Sequence, residues 1–117
     1  LLARFGDATE PALQEQVARA LVNKGITLRQ LGQTDAEIAA YDDLIARFGD
    51  ATEPALREQV ARACIGKAMV LKDRDIAAAC AAAREAVRRL ESLDTEDVDE
   101  LRKTVQGFLR ENCADQD

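Results

Sequence analysis

Residues 1–29, LLARFGDATEPALQEQVARALVNKGITLR, return as residues 44–72, LIARFGDATEPALREQVARACIGKAMVLK, with 20 of 29 positions identical at an offset of 43. A repeat of that fidelity decides the fold class before any single residue does. One supersecondary unit has been copied, and such a unit buries its apolar face only by stacking on its neighbour.

The period of the apolar residues says what the unit is. Leu13, Val17, Leu21, Leu28 and Leu31 recur at steps of three, four or seven, the spacing of one helical face. Thr9 and Pro11 supply a start signal and Gly32 a stop. Thr34 and Glu37 then fit a capping box, which predicts a second helix carrying Ile38, Tyr41, Ile45 and Phe48 and ending at Gly49 in a left-handed conformation. In the second copy Lys72 to Asp75 replace the glycine turn. Ile76, Cys80, Ala83, Val87 and Leu90 predict a fourth helix, and Val98, Leu101, Val105 and Phe108 a fifth. Asp94 and Thr95 offer caps for this last helix, and Glu96, Asp97, Asp99 and Glu100 crowd its first turns, where the helix dipole favours anions.

The expected organisation is one domain over residues 1–117: the end of a preceding repeat helix at 1–7, repeat 1 at 9–50, repeat 2 at 52–93 and a capping helix at 95–112. Leu1, Leu2 and Phe5 copy Leu44, Ile45 and Phe48, so the parent chain is expected to continue upstream with at least one more helix, and homo-oligomers formed through the truncated N-terminal end are expected as an artefact of the cut. The alternative function is a structural self-assembly module whose repeat ends stack on copies of itself.

Composition narrows the function. Residues 1–90 hold 13 acidic and 13 basic side chains, residues 91–117 hold 9 and 3, so neither segment offers the cationic excess that nucleic-acid binding requires. No apolar run has the length of a membrane span. Histidine is absent, which removes the commonest general base and metal ligand. No catalytic residue, metal site or cofactor is expected. Asp42 with Asp43 and the acids near 94–100 read as solvated or capping groups, and the GDATEP loop lacks the glycines and lysine of a phosphate loop. Cys64 and Cys80 fall at apolar positions and Cys113 near a polar terminus. Their odd number and wide spacing predict free thiols, a reducing compartment and a cytoplasmic location. The Ala77–Ala83 tract fits either a close helix contact or compositional bias.

Leu21, Gly25, Leu28, Gly32, Ile38 and Tyr41 stand where the tetratricopeptide repeat pattern has large, small, large, Gly, aliphatic and aromatic residues, and Cys64, Ala68 and Leu71 follow it in the second unit. The chain thus resembles an elongated member of that family. Lys24 and Lys67 replace a usual leucine, Glu37 a small residue, and Pro54 comes later than the family's proline. The resemblance implies an all-α fold of tandem helix-turn-helix repeats, stacked as a short right-handed α-solenoid with a C-terminal capping helix. It also implies a scaffold or adaptor that takes another protein or peptide in a concave groove lined by the first helix of each repeat. That groove comprises Arg19, Val22, Ile26, Arg29 and Gln30, then Arg62, Ile65, Met69, Lys72 and Asp73. Its cations and aliphatic groups predict a partner with apolar anchors flanked by carboxylates.

Overall fold

Helix ends in this chain are set by a few local devices. In the computed structural model, which describes residues 11–114, they delimit five helices: α1 (Pro11–Gln30), α2 (Thr34–Phe48), α3 (Pro54–Leu71), α4 (Ile76–Leu90) and α5 (Glu96–Asn112). Pro54 opens α3 in the first turn, where its missing N–H is not needed. Gly32 has φ 75°, and paired bonds from Gly32 N to Arg29 O (3.0 Å) and Gln33 N to Leu28 O (2.9 Å) close α1 as a Schellman motif. Asp75 caps α4 by accepting from Ala78 N at 3.1 Å, and Thr95 caps α5 by accepting from Val98 N at 3.3 Å.

Three local expectations are corrected. No capping box opens α2: Gln33 is its N-cap, without a side-chain bond, and Glu37 points into the core. Gly49 ends α2 in the right-handed region, not the left-handed one. Leu31 lies past the end of α1 and is 64% exposed. The expected start at Thr9 and the helix end at residues 1–7 lie outside the described residues.

α1 packs on α2 and α3; α3 packs on α1, α2 and α4 and touches α5, which otherwise rests on α4. The central helix, α3, is therefore enclosed from several sides. Its most extensive partner is α4, on which Ala79, Ala83 and Ala86 are all fully buried. Small side chains let the two backbones approach, so the alanine tract is a packing device.

The cysteine expectation fails. Cys80 on α4 and Cys113, just past α5, form a disulfide with a Cα–Cα distance of 5.8 Å, both buried, while Cys64 alone is free. Folding back of α5 along α4 brings together residues 33 apart in sequence, a proximity that no local spacing announces. The thiol count consequently gives no support to a reducing compartment. Among the described residues, no helix is long and apolar enough to cross a membrane.

Candidate groove between α1, α3 and α5

The floor of the candidate site is an aromatic wedge. Tyr41 of α2 lies between two glycines: a Cβ added at Gly25 of α1 would sit 2.3 Å from the ring, and one at Gly66 of α3 2.7 Å. Glycine is required at both places because the ring occupies the side-chain space. The tyrosine hydroxyl donates to Glu37 at 2.9 Å, and Glu37, only 1% exposed, also accepts from Arg29 Nε at 2.8 Å. Arg29 Nη2 reaches the Tyr41 hydroxyl (3.3 Å) and Gly66 O (3.4 Å). Charge burial is thereby compensated by an ion pair and hydrogen bonds that tie α1, α2 and α3 together. Burial, reinforced by the bond to Glu37, pushes the Tyr41 hydroxyl up to about 12.

Three cavities adjoin one another through shared lining residues, the middle one resting against this floor. One of about 380 Å³ lies between Arg19, Asn23, Arg62 and Asp97. A middle one of about 160 Å³ is lined by Val22, Ile26, Ile65, Met69 and Leu101 and touches Arg29 and Tyr41. A third of about 500 Å³ lies between Met69, Lys72, Lys103 and Phe108. The first two share Val22, Ile26 and Arg62, and the last two share Met69, so they form one groove with α1 and α3 on one side and α5 on the other.

Eight of the ten sequence-predicted residues line it: Arg19, Val22, Ile26, Arg29, Arg62, Ile65, Met69 and Lys72. Gln30 and Asp73 are exposed and line none of these three cavities. The residues differ in what they offer. Val22 and Ile65 are buried and form its base, whereas Ile26 and Met69, each 41% exposed, are the apolar groups available to a ligand. Arg19 is held by Glu15 at 2.5 Å and Arg62 by Glu58 at 3.0 Å, each on its own helix, and Arg29 by the buried Glu37. Lys72 follows the end of α3 as its C-cap.

Sequence reasoning missed the α5 wall altogether, since an amphipathic stripe fixes which face is buried and not the angle at which the helix crosses its neighbours. It also missed Gly66, although a signal was present: where the first repeat has Asn23, the second puts a glycine in mid-helix, which raises the question of what approaches it.

Among the described residues, no group of three or more His, Cys, Asp or Glu side chains is placed to hold a metal ion. Comparison with protein-family models, curated proteins and solved structures found no match.

Proposed function

We propose that this chain is a non-catalytic protein-interaction module, built as tandem tetratricopeptide-like repeats of a short α-solenoid, that holds a peptide segment of another protein in the α1–α3–α5 groove. The observation that carries this reading is the continuity of the three cavities, with Ile26 and Met69 left exposed at equivalent positions of the two repeats. Apolar groups presented in a concave setting supply affinity when a ligand removes them from water, by about 25 cal/mol per Å² of apolar surface buried.

The ion pairs of Arg19, Arg29 and Arg62 change what the partner should look like. Cations already neutralised by neighbouring carboxylates steer weakly, so apolar anchoring dominates and a carboxylate on each flank is no longer required. The test is selection of a random peptide display library on the immobilised protein, followed by titration of the selected peptides against Ile26→Asp and Met69→Asp. Enriched peptides should carry an aliphatic anchor and lose about tenfold or more in affinity to each variant, the equivalent of burying one exposed aliphatic side chain. Failure to enrich any peptide, or affinities indifferent to both substitutions while circular dichroism is unchanged, would overturn the reading.

A further inference from the structure

The two ends of the groove differ in sign. At the end where α5 begins, the arginines lining the cavity are held by carboxylates of their own helices, Arg19 by Glu15 and Arg62 by both its Nε and Nη2 on Glu58. Asp97 on the opposite wall has no ion-pair partner among the described residues, and Glu96 and Glu100 stand exposed beside it on the same turns. At the other end the balance reverses. Lys72, just past α3, has no ion-pair partner among the described residues. Lys103 on α5 reaches Glu100 at 3.7 Å with both side chains about three-quarters exposed, a contact that restrains the amine little. Among the described residues, Glu111 is the single carboxylate lining that cavity. Between the ends lies the small apolar cavity of Ile26, Ile65 and Met69, of a size for one aliphatic side chain.

From this arrangement we infer that the groove is polar along its length and selects a peptide segment with a cation at one end, an aliphatic anchor in the middle and a carboxylate at the other. The cation lies against Asp97 and the carboxylate against Lys72 and Lys103. This rests on the peptide-holding reading and adds an orientation to it. Charges at a rim contribute more to encounter and register than to affinity, and opposed signs at two ends fix a register that like signs leave ambiguous. A peptide that presents its charges the other way round meets like charge at both ends, which supplies discrimination without a further contact.

The experiment uses a peptide display library with a fixed central leucine pair and flanks randomised among Lys, Glu and Ser, selected on the wild-type chain, on Asp97→Lys and on the double variant Lys72→Glu with Lys103→Glu. On the wild type, selected peptides should carry Lys on one flank and Glu on the other, and soluble versions should bind about five- to tenfold more tightly at low salt than the same peptides with both flanks of one sign. That advantage should shrink at high ionic strength, where exposed charges are screened. Asp97→Lys should replace the selected Lys flank by Glu, and the lysine double variant the selected Glu flank by Lys. Enrichment with no charge pattern, or with a pattern that the variants leave unchanged, overturns the polarity while the groove stands. Absence of any enrichment overturns the groove itself.

Discussion

The two helical hairpins, α1–α2 and α3–α4, begin from nearly the same sequence and reach different interiors. Val17 and Val60 occupy one repeat position, as do Ala20 and Ala63 and Leu13 and Leu56. In α3 each is buried, whereas in α1 the valine and leucine are half-buried and the alanine exposed. The difference is one of neighbours, because α3 has helices on several sides whereas α1, among the described residues, packs mainly on α2 and α3. The second helices differ in chemistry. Buried Glu37, Tyr41, Leu44 and Phe48 of α2 correspond to buried Ala79, Ala83, Ala86 and Leu90 of α4, 42 positions on in every case. A polar, aromatic seam joins the first hairpin to the rest, whereas alanine contact and a covalent bridge consolidate the second. One sequence unit thus supports two ways of closing a helix pair, and the side chains that differ between the copies decide which.

The largest effect should come from Tyr41→Ala, which imitates in α2 the alanine found in α4. Without close backbone approach to match, the substitution leaves a void between Gly25 and Gly66 and should lower stability in urea denaturation by about 3–5 kcal/mol. Gly66→Ala sharpens the comparison, since it should destabilise the wild type but be neutral or better in the Tyr41→Ala background; the same sign in both would show that the ring is not the obstacle.

Next in size is the bridge. Cys113→Ser, or reduction in wild type, should lower stability by about 2–4 kcal/mol. Hydrogen exchange should quicken in α5 and the start of α4, where Cys80 lies, while α1 and α2 keep their protection. Unchanged exchange in α5 would mean that packing of Val98, Val105 and Phe108 holds it without the bridge.

The smallest effect tests the polar seam by its asymmetry. Arg29→Met leaves Glu37 buried beside the Tyr41 hydroxyl alone and should destabilise by about 2–3 kcal/mol. Glu37→Gln leaves an arginine whose side chain is 42% exposed and reaches water, so about 1 kcal/mol is expected. Equal losses in chemical denaturation would contradict the burial that separates the two partners.

Five helices were legible because apolar period, proline and glycine are local signals, and Gly32 and Thr95 act where the sequence placed them, whereas the cap at Asp75 was not read from it. Glu37 was misread because one pattern, Thr followed by Glu three residues later, serves both a cap and a buried acid. Only the position of Arg29 across the turn distinguishes them. The first-helix residues named for the groove came from the resemblance to the tetratricopeptide pattern, whereas the place of α5 beside them and the pairing of Cys80 with Cys113 depend on how the last helix folds back, which periodicity does not encode.

The bridge also has a topological consequence. Residues 80 to 113 form a closed covalent ring that contains the exposed turn at Glu91 and Ser92. A protease that cuts this turn opens the ring without releasing a fragment, because α5 stays attached to α4 through sulfur. The nicked protein should migrate as one species without reductant and as two with it. The same turn is therefore a place where new chain ends can be introduced while both walls of the groove remain covalently joined.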